Sequence, residues 1–266
     1  MKIDWLASFP KSGNTWVRCV LEAYARGKVD LNLMGEVLGD SNIMHFQQLC
    51  PAVFDSLTMQ EWLIYRVAML SNMRMHHAKN HKRMILKTHN AHVQVGDMPT
   101  IPLALSGLAV YIIRNPLDVM PSLAAHMGMT YDDAVEKMCH EGFATESDAA
   151  KGALHTLYSS WKTNVASWER YPNVLVVRYE DLKDDPKKWF GKIIRHYGYS
   201  YSSKKLDAAI RTCKLDRLKA QENKDGFREA SKVTKFFGQK HKPILKRQEK
   251  ALIKGLGPTM EKYGYL

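Results

Sequence analysis

A short apolar run that leads directly into a loop containing lysine and glycine is the most restrictive feature of this chain. Residues 3–7 are apolar apart from one aspartate, and residues 8–18 are Ser-Phe-Pro-Lys-Ser-Gly-Asn-Thr-Trp-Val-Arg. Apolar residues at helical spacing follow as far as Tyr24. A strand, a turn and a helix in this order bring backbone N–H groups and a positive dipole end beside hydroxyl and lysine side chains. This pattern predicts an anion-binding loop.

The rest of the chain predicts an α/β fold with a parallel sheet. Apolar runs at residues 3–7, 84–87, 108–113 and 173–177 are typical of buried strands. Helical patterns lie between them, at residues 16–26, 59–76, 117–126 and 155–170. We expect loops or insertions at residues 32–50, 89–107 and 128–153. Strands that alternate with helices form parallel sheets, whose ligands bind beyond the carboxyl ends of the strands.

Length and composition limit the classes of protein to which this chain can belong. A chain of 266 residues can bury a large core, and we predict one domain over residues 1–266. No apolar stretch approaches the roughly 20 residues of a membrane helix, and only two residues precede the first strand, which leaves no room for a signal peptide. The four cysteines form no C-x-x-C pair. These features predict a cytoplasmic protein with no integral membrane segment.

Polar motifs follow the other three predicted strands as well. Lys87, Thr88 and His89 come after the second strand, and an imidazole that titrates near neutral pH is an effective proton acceptor. Arg114 follows the third strand, ahead of Asn-Pro and a helix that contains Ser122. Tyr179 follows the fourth strand. Each also has a purely structural reading: a hydrogen-bonded histidine, a strand-end ion pair, a surface serine and a tyrosine packed in the core.

These motifs together resemble those of the sulfotransferases that use 3′-phosphoadenosine-5′-phosphosulfate (PAPS). Pro-Lys-Ser-Gly-Asn-Thr-Trp is similar to the family's loop for the 5′-phosphosulfate, Lys-Thr-His to its catalytic motif, and Arg with a serine eight residues later to its 3′-phosphate segment. The resemblance implies that His89 is the general base and that Lys11 and Lys87 stabilise charge during transfer. It implies a set of cofactor contacts: Lys11, Ser12, Gly13, Asn14, Thr15, Trp16, Arg114, Ser122 and Tyr179. Core packing remains the alternative for Trp16 and Tyr179.

The resemblance is specific over residues 1–182 and loose beyond them. Leu215 stands where the family has a phenylalanine against the adenine. The family's Arg-Lys-Gly clamp for the 3′-phosphate does not follow the two phenylalanines at 236 and 237. Lys240 and Lys242 are the candidates to supply its charge. The 3′-phosphate is therefore either held differently here or bound less tightly.

The resemblance implies a three-layer α/β/α fold similar to that of P-loop NTPases, and a PAPS-dependent sulfotransferase that releases adenosine 3′,5′-bisphosphate (PAP) without a metal. Two alternatives are a P-loop kinase, which would need a lysine after the glycine, and a non-catalytic nucleotide- or RNA-binding protein. The net charge of +12 suits an anionic cofactor, so no nucleic-acid partner is predicted. The acceptor is predicted to be a small phenol or lipid-like alcohol, and the oligomeric state is left open. The residues behind this acceptor prediction are Met34, Met44, His45, Phe46, Met127, Met129 and Tyr131.

Overall fold

The computed structural model describes residues 1–40, 57–81, 83–146, 154–230, 235–238 and 241–266. The strands in these ranges are β1 (Ile3–Ser8), β2 (Val37–Gly39), β3 (Met84–Thr88), β4 (Gln94–Val95), β5 (Met98–Pro99), β6 (Ser106–Ile113), β7 (Ala144–Thr145), β8 (Thr156–Leu157) and β9 (Val174–Arg178). The helices are α1 (Asn14–Arg26), α2 (Met59–Ala78), α3 (Pro116–Met127), α4 (Tyr131–Cys139), α5 (Trp161–Glu169), α6 (Tyr179–Asp184), α7 (Pro186–His196), α8 (Ser203–Thr212), α9 (Leu215–Asp225) and α10 (Lys246–Lys262).

A five-stranded parallel sheet in the order β2-β3-β1-β6-β9 organises the fold. Strands β1 and β3 run side by side from Ile3 opposite Met84 to Ala7 opposite Thr88. The carboxyl ends of these two strands therefore lie at the same edge of the sheet. The short strand β2 pairs with the other side of β3. This sheet, flanked by helices, confirms the predicted α/β fold.

The chain forms two compact units, each built from three segments. The first comprises Met1–Phe9, Val37–Tyr111 and Glu141–Val176 and holds most of the sheet. Its core contains Trp161 and Trp168, which are both fully buried. The second unit is mainly helical and comprises Pro10–Glu36, Ile112–His140 and Val177–Leu266. The largest fully buried side chains of its core include Tyr197 and Phe190. The assignment of residues 1–266 to one domain stays a prediction.

Local details differ from the sequence-based expectations. Strand β2 lies within the predicted loop 32–50, and the hairpin of β4 and β5 lies within 89–107. The helix expected at 155–170 begins only at Trp161, because the Ser160 side chain caps it and β8 pairs with β7. Over the part of the chain that the structure describes, every helix falls short of the length or the apolar character required to cross a bilayer.

Candidate functional site

The loop after β1 has the geometry of an anion cradle. Lys11 and Gly13 both have positive φ angles, 64° and 98°, so the chain turns sharply before α1 begins. The backbone N–H groups of Trp16 and Val17 donate to the Gly13 carbonyl oxygen at 3.1 and 3.3 Å, which closes the first turn of the helix. The Ser12 hydroxyl is fully buried and has no hydrogen-bond partner among the described residues. A phosphate or sulfonate oxygen bound in this loop would satisfy that hydroxyl.

Gly13 is required by the ring that packs on it. A Cβ atom at this position would lie 2.4 Å from Cδ2 of Tyr179 and 2.7 Å from its Cε2. Burial raises the pKa of the Tyr179 phenol, so its hydroxyl stays protonated near neutral pH. Trp16 meets Tyr179 edge-on at 6.0 Å between ring centroids, and its indole Nε1 donates to the Cys213 carbonyl at 3.0 Å. Both aromatic rings therefore pack in the second unit and also border the loop.

The second predicted anion segment joins the first through Arg114. Its Nη1 donates to the Lys11 carbonyl oxygen at 3.1 Å, and its guanidinium carbon lies 4.6 Å from the centroid of the Tyr179 ring. The Asn115 side chain caps α3, as its position before the proline predicted. Ser122 is half-buried in the second turn of that helix. The structure thus brings Lys11 and Arg114 together.

Two residues that sequence reasoning missed approach the same loop from the C-terminal segment. The Lys11 ammonium lies 3.9 Å from the centroid of the Phe236 ring. His241 lies close enough to Arg114 and Lys11 for their charges to act on it. Burial, followed by these two cations, lowers the pKa of its imidazole.

Leu215 and the predicted residues outside the described ranges remain to be placed. Leu215 is 59% exposed at the first position of α9, so it makes little packing contact in this structure. Lys240 lies outside the described residues, as do Met44, His45 and Phe46. Among the residues that are described, no three His, Cys, Asp or Glu side chains cluster as metal ligands. The expectation of a metal-free reaction stays a prediction.

In the first unit, the histidine at the end of β3 is held by the neighbouring strand. Nδ1 of His89 lies 2.8 Å from the carbonyl oxygen of Ser8 and 3.3 Å from its Oγ. A carbonyl can only accept a hydrogen bond, so Nδ1 carries the proton when this bond is made. In the neutral ring the lone pair then belongs to Nε2. The backbone of β1 therefore selects the tautomer in which Nε2 can accept a proton.

A buried polar network fixes the chain around this histidine. The side-chain amide of Asn164 donates to the His89 carbonyl at 3.2 Å. The next residue, Asn90, is 2% exposed and donates through Nδ2 to the Asp40 carboxylate at 3.2 Å. Asp40 also forms a buried ion pair of 2.7 Å with Arg66, and its backbone N–H donates to the Lys87 carbonyl at 3.1 Å. The network ties β2, α2 and the end of β3 together.

Comparisons with known proteins give a consistent result. A family model described as "Sulfotransferase domain" matches residues 4–253. Cytosolic sulfotransferase 13 of Arabidopsis thaliana is 26% identical in an alignment of 253 residues, which covers 88% of this chain and 68% of that protein. Sulfotransferase 1A1 of Rattus norvegicus is 25% identical over 80% of this chain and 66% of its own length. The chain thus spans about two thirds of the length of these relatives.

Solved structures with similar folds cover nearly all of the chain. Retinol dehydratase in complex with androsterone and inactive cofactor PAP aligns with a TM-score of 0.64 at 17% identity, covering 98% of this chain and 82% of that one. A mouse sulfotransferase complexed with PAP aligns with a TM-score of 0.60 at 18% identity, covering 99% and 88%. At these identities the likeness concerns the fold, and it confirms the fold class predicted from the sequence.

Proposed function

Because the chain belongs to the sulfotransferase family, we propose that it moves a sulfuryl group from PAPS to a hydroxyl group, or less readily an amine, of a small acceptor and releases PAP. The observation that carries this proposal is the hydrogen bond from Arg114 to the Lys11 carbonyl, which joins the two segments predicted to bind the two ends of the nucleotide. Relatives crystallised with PAP support the choice of nucleotide. The family match favours this function over a kinase or a non-catalytic nucleotide- or RNA-binding protein.

The residues of the cradle suit the nucleotide. The backbone of residues 11–15 and the buried Ser12 hydroxyl would hold the phosphosulfate at the start of α1. Arg114 and Ser122 would hold the 3′-phosphate, and His241 would take up a proton beside it in place of the absent clamp. Trp16 and Tyr179 offer aromatic faces to the adenine.

PAPS supplies the activated sulfuryl group. Residues of this chain stabilise the charge that develops during transfer and accept the proton of the acceptor. The bond between sulfur and the bridging oxygen breaks as the acceptor oxygen bonds to sulfur, and PAP leaves with the bridging oxygen. The acceptor proton passes to Nε2 of His89, which the bond from Nδ1 to Ser8 leaves with its lone pair. Lys11 stabilises charge on the bridging oxygen and Lys87 stabilises charge on the sulfuryl oxygens, each worth a few kcal/mol.

The acceptor is proposed to be a small phenol or a lipid-like alcohol. Relatives support this class, because retinol dehydratase was crystallised with androsterone and with retinol. A relative named as a cytosolic sulfotransferase supports a cytoplasmic location. A screen of phenols and alcohols with PAPS labelled in its sulfuryl group tests the acceptor class directly.

Calorimetry with PAP and AMP tests the nucleotide assignment without an acceptor. We expect PAP to bind more tightly by about 1.5–3 kcal/mol, the usual value of a hydrogen bond to a charged group, because only PAP carries the 3′-phosphate. Arg114→Ala should remove most of this preference. Equal affinities for PAP and AMP would refute the role of Arg114. Tighter binding of ATP with magnesium would favour a kinase, and tighter binding of a short RNA would favour the non-catalytic alternative.

Turnover tests the role of the histidine. His89→Ala should lower turnover by roughly 10²–10⁴-fold and leave PAP affinity nearly unchanged, because the imidazole acts on the acceptor. Lys11→Ala should weaken both PAPS binding and turnover. If His89→Ala lowered the melting temperature but kept full activity per folded molecule, His89 would be structural and the proposed mechanism would be wrong.

A further inference from the structure

The ring of Phe236 lies directly against the charge of the loop lysine. Nζ of Lys11 is 3.9 Å from the centroid of this ring, well within the roughly 6 Å that defines a cation–π contact. Lys11 belongs to the anion loop, whereas Phe236 belongs to a segment more than two hundred residues later in the chain. Phe236 and Phe237 precede the place where the family's Arg-Lys-Gly clamp is missing, but the sequence alone does not relate either ring to Lys11.

A buried carboxylate sets the position of that ring. The backbone N–H groups of Phe236 and Phe237 donate to the two carboxylate oxygens of Glu222, the second at 2.9 Å. Glu222 is 6% exposed in α9, so these charge-assisted bonds are shielded from water. The ring centroid of Phe227 lies 5.0 Å from that of Phe236 and 5.8 Å from that of Phe237. The Phe236 ring is therefore fixed both through its backbone and by a neighbouring ring.

We propose that Phe236 is a positioning residue for PAPS: its ring, set by Glu222, holds the Lys11 ammonium in the cradle without neutralising it. This inference rests on the proposed function. A carboxylate in the same place would hold the lysine more firmly, but it would cancel the charge that an anionic ligand needs. An aromatic face attracts the cation through its quadrupole and carries no negative charge that would cancel the charge of the lysine.

Stepwise fluorination of the ring separates this role from simple packing. Incorporating mono-, di- and trifluorophenylalanine at position 236 weakens the negative face of the ring and nearly preserves its shape. We expect the PAPS affinity, measured by calorimetry without an acceptor, to fall with each fluorine. The total loss should be about two- to thirty-fold, the range for cation–π contacts from exposed to desolvated sites. The same series at Phe237, whose ring packs on Phe227, is the matched control and should leave the affinity unchanged.

Replacing the carboxylate tests how the ring is set. Glu222→Gln keeps one acceptor oxygen but loses the second and the charge, so PAPS affinity should fall by an amount similar to that of Phe236→Leu. The two changes combined should cost little more than either alone, because they act on one contact. Additive losses would mean that Glu222 acts independently of the ring.

The outcomes of the series distinguish this inference from the proposed function. If the wild-type protein binds PAPS and the Phe236 series is flat, the positioning role is overturned and the proposed function stands. If the affinity rises with fluorination, the ring withholds the lysine from the ligand and the inference is also overturned. A wild-type protein that binds neither PAPS nor PAP would overturn the proposed function and this inference with it.

Discussion

Two glycines at opposite ends of α1 allow the packing of Tyr179 on the anion loop to be tested with an internal control. Gly13 begins the helix with φ 98°, and Gly27 ends it with φ 77°. A Cβ atom on Gly13 would lie 2.4 Å from a ring carbon of Tyr179, whereas one on Gly27 would meet nothing within 4 Å. Gly13→Ala and Gly27→Ala therefore share a backbone penalty and differ in the contact with the ring.

The contacts of Tyr179 determine how far the two variants differ in unfolding free energy. A non-glycine residue in the left-handed region costs roughly 1–2 kcal/mol, which applies to both substitutions. Only Gly13→Ala also displaces the Tyr179 ring. The displacement weakens the stacking of Arg114 at 4.6 Å, worth about 0.5–2 kcal/mol, and the edge contact with Trp16, worth about 0.5–1.5 kcal/mol. We expect Gly13→Ala to cost about 2–5 kcal/mol of unfolding free energy.

Thermal unfolding measures the loss of stability in each variant, and calorimetry measures its loss of PAP affinity. Gly27→Ala should lower the melting temperature by a few degrees, at roughly 2–4 °C per kcal/mol, and leave the PAP affinity of the folded protein unchanged. Gly13→Ala should lower it further and weaken PAP binding about tenfold or more, because losing even one charge-assisted contact of Arg114 costs over 1.4 kcal/mol. Adding Tyr179→Leu should cost less in the Gly13→Ala background than in the wild type. Equal melting temperatures and equal PAP affinities for the two alanine variants would refute this reasoning.

Two further outcomes concern the buried network beside His89. Arg66→Met leaves the Asp40 carboxylate buried without the partner it holds at 2.7 Å, and should cost about 3–5 kcal/mol of unfolding free energy. The double variant with Asp40→Leu should recover most of that loss, and a double variant as unstable as the single one would contradict the prediction. Asn90→Ala removes the acceptor for the Leu157 N–H and should cost about 1–3 kcal/mol without changing PAP affinity. Thermal unfolding and PAP calorimetry check both outcomes.

The main strands were predictable because each is a mainly apolar run that ends in a polar motif. The predicted runs at 3–7, 84–87 and 108–113 match β1, β3 and β6 to within two residues at either end. Strand β2 could not be predicted, because Val37–Gly39 contains only two apolar residues and gains its stability from pairing with β3. The late start of α5 has a similar cause, because β7 pairs with β8 in the stretch before that helix.

The site was predictable where local motifs carry it. The order of residues in the first loop and the position of Arg114 before a capped helix identified two segments that the structure brings together. The roles of Phe236 and His241 could not be predicted in this way, because both come near the loop from the far end of the chain. Glu222 gave no signal either, because it acts on the loop only through the backbone of the two phenylalanines. The tautomer of His89 likewise depends on a backbone carbonyl of the neighbouring strand, which carries no signal in the side chains.

The imidazole of His241 can gain or lose a proton near neutral pH, unlike the Arg and Lys of the family's clamp. Burial, followed by the positive charges of Arg114 and Lys11, lowers the pKa of His241 from the ordinary value of 6.5. A bound phosphate favours the imidazolium and raises that pKa. The pKa of His241 is therefore higher in the nucleotide complex than in the free protein. Binding takes up a proton, and the affinity increases as the pH falls through the interval between these two pKa values. The lower end of that interval lies below 6.5.

If His241 takes up a proton when PAP binds, PAP should bind more weakly and dissociate faster as the pH rises. PAP affinities are best compared as the ratio of wild type to His241→Gln at each pH, because the phosphate itself titrates with a pKa near 6 and the ratio cancels that effect. The ratio should increase as the pH is lowered from about 7.5 to 5.5, and calorimetry in two buffers should show proton uptake by the wild type in excess of the variant. A permanent Arg or Lys clamp would give neither effect. A ratio that stays constant over this range would show that His241 does not contact the nucleotide, and that the remaining charge comes from elsewhere in the chain.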